Sequence, residues 1–442
     1  MKIVERYGWG RTSSVKSFSG DVSEFLNKET TIHSSSGLPI GLGRSYGDSS
    51  LNSNGIHWST ATQKKIKIDR DLGIAECGSG ITIGELERSC LEFGFFPPVV
   101  PGTEFVTIGG AIASDIHGKS HHTLGSFGTN LLSLEVIDSN REVHVLKPSD
   151  ETKERFWATI GGMGLTGIIL GARIKLLPVQ SSYFIVEEER SENLQGLLET
   201  LERFDRKFMY TVAWIDLSGE FAGRGIVSGG NHANLDELSS NSYSQQFKVL
   251  NKRSLSLPNI FPSFTVNRVT VKIFNSLWYR KPLKQGIKTA RAFLHPLDSI
   301  ENWNRLFGKQ GIIQYQVQVP FGEESFLIDL INEMKNIGAY SFLGVLKRFG
   351  SEQGGILSFP SSGWTLAIDI PAGINGLFES LEKLDEKLCL IGGKVYLTKD
   401  ARLSRAHFER MYPQFLHWIR IKKEMDPSNY WQSNQGRRLG IC

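Results

Sequence analysis

The chain has 442 residues, of which 40% are hydrophobic and 22% charged, the composition of a soluble globular protein and a length that favours two domains over one core. Its net charge of +4 is too weak to mark a nucleic-acid binder, and no RRM, zinc-finger or helix-turn-helix pattern is present. The four cysteines, Cys77, Cys90, Cys389 and Cys442, show no CxxC spacing and give no disulfide framework, so they read as idle thiols in a reducing compartment.

No apolar h-region opens the chain and no run of about 18 apolar residues follows, so neither a signal peptide nor a transmembrane helix is expected. The 46 glycines concentrate in the first 170 positions, where tight turns and close approach of backbone to a ligand need them. Residues 37–55 are dominated by turn formers. Thr82-Ile83-Gly84-Glu85 fits a capping box and predicts a helix with Ile83, Leu86, Cys90 and Phe93 on one face and Gly94 as its stop. Pro97, Pro98 and Pro101 then force an extended loop. Leu132–Ile137 and Glu142–Leu146 read as strands around an Asp-Ser-Asn turn, residues 151–159 as a short helix and Leu165–Leu177 as a strand. Beyond Pro178 the glycine clusters thin. Strands at Tyr210–Asp216, Ile313–Val319 and Trp364–Ile370 appear among helices, which places a domain boundary near residue 181. Segment 251–311 holds Phe261, Phe264, Phe274, Trp278, Tyr279, Arg280 and Lys281 without a clean period. A substrate-covering loop and an ordinary surface excursion both stay open there. Ser404–Glu424 reads as one amphipathic helix.

Three Gly-rich segments carry the chemistry: Gly41 to Asp48; Pro101-Gly102-Thr103 with Thr107-Ile108-Gly109-Gly110-Ala111; and Gly161 to Gly167. The last contains G-x-G-x-x-G at Gly162, Gly164 and Gly167. A Rossmann site needs a strand before that pattern and a helix after it, and here the order looks reversed. All three segments are better gathered around one ligand, with amides of Gly43 to Asp48 cradling a pyrophosphate and Gly109-Gly110 lying flat against a cofactor. His117, His121 and His122 fit no common zinc spacing, so no metal site is assigned. His117 reads instead as a neutral hydrogen-bonding group.

These segments, with His121-His122 and Gly125 to Gly128, resemble the vanillyl-alcohol-oxidase-type (PCMH-type) FAD-binding family. More narrowly, they resemble the decaprenylphosphoryl-β-D-ribose 2′-oxidase family, the flavoprotein half of an epimerase pair in arabinan precursor synthesis. Trp278-Tyr-Arg-Lys281, Gln314-Tyr-Gln316, Gly363-Trp364, Tyr396 to Asp400 and Met411-Tyr-Pro413 extend the likeness over nearly the whole chain. The resemblance implies an α+β, two-domain flavoprotein. Its FAD-binding domain is split between residues 1–181 and 394–442, and an α+β substrate-binding domain on an antiparallel sheet, residues 182–393, is inserted. FAD contacts would come from Gly41, Gly43, Arg44, Ser45, Tyr46, Gly47 and Ser49 in the first turn. Gly102, Thr107, Gly109, Gly110, Ser114, His117, Ile169 and Tyr396 would supply the rest. FAD would be non-covalent, because the Arg44-Ser45-Tyr46 turn lacks the histidine that relatives use for attachment.

The implied substrate pocket takes Lys119, Trp214, Tyr279, Gln314 and Gln316 from one half of the inserted domain. Lys347, Phe349 and Thr365 come from the other, and Lys399 from beyond it. Thr365 and Ala367 stand where mycobacterial-type enzymes carry Asn and Cys, which leaves the exact sugar open. Oxidation of a secondary alcohol needs a proton acceptor, and Lys399 is the preferred group, with Tyr46 and His117 polarising the hydroxyl. Gln314 and Gln316 alternate on a strand and so point to one face. Lys347 and Lys119 would balance a substrate phosphate. The resemblance implies a lipid-linked sugar phosphate as substrate and a short-chain NAD(P)H-dependent reductase as partner. The basic, aromatic stretch Trp278–Lys284 would allow peripheral contact at the inner membrane face of a cytoplasmic protein; a periplasmic location stays open. The competing readings are an alditol or aldonolactone oxidase acting on a free sugar, and a non-catalytic sugar-phosphate binder.

Overall fold

Short apolar runs between Gly-rich turns cannot make long strands, and residues 2–59 form a small four-stranded sheet. Its order is Lys2–Tyr7, Ser14–Asp21, Ile56–Ser59, Gly37–Ile40. The computed structural model describes residues 2–442 apart from 33, 245, 248–254, 258–265 and 352–353, and the side chains of 240, 241 and 255; Phe261 and Phe264 therefore lie outside the described residues. Fully buried Trp58 packs against Phe25, and Trp431 from the far end of the chain closes the same small core.

A second, antiparallel sheet runs Ile66–Asp69, Ile74–Gly78, Ile168–Lys175, Leu131–Ile137, Val143–Leu146. The helix expected after Thr82 forms as Ile83–Leu91, with both halves of the capping box made, and buries Ile83, Leu86, Cys90 and Leu91. Around the G-x-G-x-x-G pattern, helix Lys153–Thr159 precedes and strand Ile168–Lys175 follows. No helix N-terminus is thus presented there, as the Rossmann site would require.

The third sheet has eight strands, in the order Gly286–Thr289, Tyr183–Ser191, Gly225–His232, Tyr210–Ile215, Gly344–Phe349, Gly363–Pro371, Ile312–Val319, Lys394–Val395. Each strand is antiparallel to its neighbours, which suits a sheet with one apolar and one polar face. Tyr315, Val317, Leu366 and Ile368 share the main core with the apolar stripes of helices Leu194–Asp205, Ser325–Asn336 and Leu377–Leu390. The opposite face is left for the site.

After Lys394–Val395 the chain returns to the N-terminal sheets. Trp418 Nε1 donates to the Ala158 carbonyl at 2.8 Å, and Arg438 pairs with both Asp48 and Asp400. The single helix expected over Ser404–Glu424 is two, Arg405–Met411 and Phe415–Met425. Pro413 has no N–H and disfavours the helical conformation of its predecessor, and Tyr412 sits at φ −124°, ψ 66°. Segment 251–311 is not irregular throughout: Arg268–Arg280 is a 13-residue helix capped by Asn267 and Thr270.

Candidate active site

A cavity of about 510 Å³ opens between the N-terminal Gly-rich segments, the polar face of the large sheet and residues 396–399. Its first wall is backbone. Gly41 is pressed so close to Thr107 that an added Cβ would lie 2.2 Å from Thr107 Oγ1. Thr107 in turn caps the helix Ile108–Ala113 by accepting from the Gly110 N–H. The N–H groups of Leu42, Gly43, Arg44 and Ser45 meet no protein acceptor among the described residues. Ser49 Oγ, buried, is likewise unpaired. A buried hydroxyl is rarely left unmet in a native fold, and Ser49 Oγ beside a cavity-facing turn of free amides fits an anionic ligand such as a pyrophosphate.

The second wall is side chains. Register places Gln314 opposite Asp369, Gln316 opposite Ala367, and Lys347 opposite Thr365, so strand alternation sends these side chains to one face. Gln314 Nε2 donates to Asp369 Oδ1 at 2.6 Å and to the Tyr46 hydroxyl at 3.1 Å. Gln316 Nε2 lies 3.0 Å from His117 Nε2 and 3.2 Å from Thr365 Oγ1. Because the amide can only donate, His117 Nε2 accepts and the ring proton sits on Nδ1. Burial first, and then the Lys347 ammonium, hold His117 well below the usual imidazole range, so the ring is neutral. Its Nδ1 is buried without a partner, which leaves the ring's one N–H unmet.

Three further groups are shifted by the same low-dielectric setting. Burial, then the Lys399 charge, pushes Lys347 down to about 7. Burial lowers Lys399 while Asp369 opposes that shift. Burial raises Asp369, against the hydrogen bond from Gln314 and the charge of Lys399. Lys399 Nζ stands 4.1 Å from the centre of the Tyr46 ring, a cation–π contact that fixes the amine over the phenol. Tyr46 is itself held well above its usual value by burial and then Asp369, so it is a neutral hydrogen-bonding group.

The structure brings most of the expected residues to this cavity. Gly41, Gly43, Arg44, Ser45, Tyr46, Ser49, Gly102, Thr107, Gly109, Gly110, Ser114, His117, Ile169, Tyr396, Gln314, Gln316, Lys347 and Lys399 line it. Six do not. Gly47 packs behind the turn, where an added Cβ would be 1.9 Å from the Asp400 carbonyl. Lys119 turns away to donate to the carbonyls of Phe293 and Leu294. Trp214 Nε1 donates to the Phe342 carbonyl at 3.0 Å. Tyr279 lies under Arg224, its hydroxyl on the Ser191 carbonyl. Phe349 and Thr365 stand one layer back, Phe349 edge-on to His117 at 4.8 Å and Thr365 against Gln316. His121 and His122 go elsewhere: His121 Nδ1 accepts from the Gly350 N–H, and His122 Nε2 lies 2.9 Å from the Phe208 carbonyl.

Sequence reasoning missed Asp369 and the loop from Leu297 to Trp303, which closes one side of the cavity. Alternation in Trp364–Ile370 already set Thr365, Ala367 and Asp369 apart from Leu366, Ile368 and Ile370, and a lone carboxylate on such a strand was the available signal. The loop is fixed by Asp298, whose Oδ2 accepts from the Glu104 N–H at 2.6 Å, a pairing across 194 residues that no local pattern reveals.

A family of FAD binding domains matches residues 27–147. The chain is 37% identical to a decaprenylphosphoryl-beta-D-ribose oxidase of Mycolicibacterium smegmatis over 98% of its own length and 97% of that protein. It is 32% identical to an uncharacterised protein of Streptomyces coelicolor over 82% of this chain and all of that one. A D-lactate dehydrogenase of Archaeoglobus fulgidus is 30% identical over 128 residues, 28% of this chain and 29% of the other. The chain is an α+β, FAD-dependent oxidoreductase, and the free amides of residues 42–45 with Ser49 Oγ fit the flavin nucleotide's pyrophosphate.

Proposed function

The chain belongs to the decaprenylphosphoryl-β-D-ribose oxidase family, and from that premise we propose that it oxidises the 2′-hydroxyl of a polyprenylphosphoryl-β-D-ribose to the 2′-keto sugar, the first half of an epimerisation to the arabinose precursor. In this reading residues 1–181 and 394–442 hold FAD without a covalent bond, and residues 182–393 receive the sugar. FAD, when bound, accepts the hydride from the carbinol carbon.

The observation that carries the reading is the polar end of the cavity. Gln314 and Gln316 have their amide nitrogens engaged by Asp369, Tyr46, His117 and Thr365. Their carbonyl oxygens remain as acceptors for sugar hydroxyls. Lys347 has no hydrogen-bond or ion-pair partner among the described residues, so its charge is available to a phosphate. Lys399 takes the hydroxyl proton, its amine made a usable base by burial. Neutral His117 and Tyr46 donate to or orient the oxygen without adding charge.

A keto product needs a reductase to complete the epimerisation, and a short-chain NAD(P)H-dependent enzyme fits that role. Peripheral contact with the inner membrane face would bring the enzyme to a prenyl-linked substrate. Helix Arg268–Arg280 supports such contact: Val269, Ile273 and Leu277 are 66, 56 and 68% exposed along one stripe, with Arg280, Lys281 and Lys284 at its end. No helix among the described residues is long and apolar enough to cross a membrane. The proton-transfer role is tested with Lys399→Ala, which should keep its flavin colour and lose at least about 100-fold in kcat. Full turnover in that variant would remove Lys399 from the chemistry.

A further inference from the structure

Asp369 is 1% exposed, on a strand whose flanking Ile368 and Ile370 are also buried. Its Oδ1 accepts from Gln314, but Oδ2 has no hydrogen-bond partner. A buried carboxyl with one oxygen unmet costs stability, and an apolar residue would fill this strand position better. We propose that Asp369 is the positioning residue of the site: it fixes the Gln314 amide so that Oε1 is left for the substrate, and it sets the charge of Lys399 across the same pocket. The inference rests on the reading of Lys399 as the proton acceptor.

The geometry has two arms. Through Gln314, Asp369 reaches the Tyr46 hydroxyl, since one nitrogen donates to both at 2.6 and 3.1 Å. The Asp369 carboxylate, which can only accept, disfavours the flipped amide, whose oxygen would face it. The second arm is electrostatic. The groups that act on Asp369 are Gln314, through its hydrogen bond, and the Lys399 charge, while Asp369 in turn raises Tyr46. Asp298 and Glu301 act on Arg44 instead. Tyr46 is held neutral, so the charge balance at Asp369 lies with Lys399. While Asp369 is ionised, its charge holds a proton on Lys399 against burial, and only the neutral amine can accept a hydroxyl proton.

Asp369→Asn tests this, because Asn keeps an oxygen for Gln314 but holds neither charge nor an acidic proton. Without the neighbouring anion, Lys399 should lose its proton at lower pH. The acid limb of kcat/KM for polyprenylphosphoryl-ribose, followed by dye reduction, should move down by about one pH unit or more, with KM at the plateau within about twofold. The Cε resonance of Lys399 in 13C-lysine-labelled protein, identified by its loss in Lys399→Met, should titrate lower by the same margin with no substrate present. Asp369→Leu, which also removes the acceptor, should raise KM about tenfold. An acid limb and a resonance that both coincide with the wild type in Asp369→Asn would overturn the proposal. Retained turnover in Lys399→Met would instead remove the proton-acceptor reading beneath it.

Discussion

Replacing Lys347 by Met should stabilise the protein and weaken the enzyme together. Lys347 is a cation without a carboxylate partner among the described residues, and its proton is held only to about pH 7, against 10.5 for an ordinary lysine. At about 1.4 kcal/mol per pH unit, this corresponds to a penalty on the order of 5 kcal/mol from burial and the neighbouring Lys399 charge. That is an upper figure, because Lys347 is only partly shielded from water. Met has a similar length and no charge, so at pH 7 the variant should gain a few kcal/mol of unfolding free energy. The gain has a pH signature. Above pH 7 the folded wild type sheds the proton while the unfolded chain keeps it until about 10.5. The unfolded state then binds more protons, and wild-type stability rises with pH. Urea unfolding of both proteins at about pH 7, 8.5 and 10 should therefore show the gap narrowing toward the alkaline end. Dye-reduction kinetics should show KM for the phosphorylated substrate raised at least about tenfold, the loss of one charge-assisted contact. A variant less stable than the wild type at pH 7, or a gap that does not change with pH, would refute the reasoning.

His295 is 1% exposed and lies 2.7 Å from Glu87 Oε1. Burial alone would lower the imidazole, but the charge and hydrogen bond of Glu87 outweigh it and raise it above 6.5. Its contribution is full below that value and is lost as pH rises through the raised one. Glu87→Gln should cost about 3 kcal/mol near pH 6 and abolish this fall in stability with rising pH, read by Tm from about pH 6 to 8. An Ile273→Glu, Leu277→Glu pair on the outward stripe of helix Arg268–Arg280 should lower co-sedimentation with anionic vesicles at least about tenfold. The same pair should leave turnover of a water-soluble short-chain substrate intact; unchanged vesicle binding would place the membrane contact elsewhere.

Much of the frame is written locally. The Thr82 and Glu85 capping box and the alternation in residues 312–319 and 363–371 set elements that the structure forms within a residue or two. What the sequence leaves out is depth and long-range closure. Alternation puts Thr365 on the cavity side of its strand but does not say that Gln316 stands in front of it. Helix Arg268–Arg280 hides its period because its apolar stripe faces outward, while Asn275 is buried by bonds to Asp216 and the Ser341 carbonyl. Trp58 meets Tyr430 across 372 residues, and nothing near either residue announces the other.

Anaerobic titration of the purified yellow protein tests the central claim most directly. A polyprenylphosphoryl-β-D-ribose should bleach the flavin absorbance stoichiometrically and yield a ketone at the 2′ carbon, while free pentoses, alditols and aldonolactones leave the spectrum unchanged. Bleaching by a free sugar with no response to the lipid-linked phosphate would contradict the account.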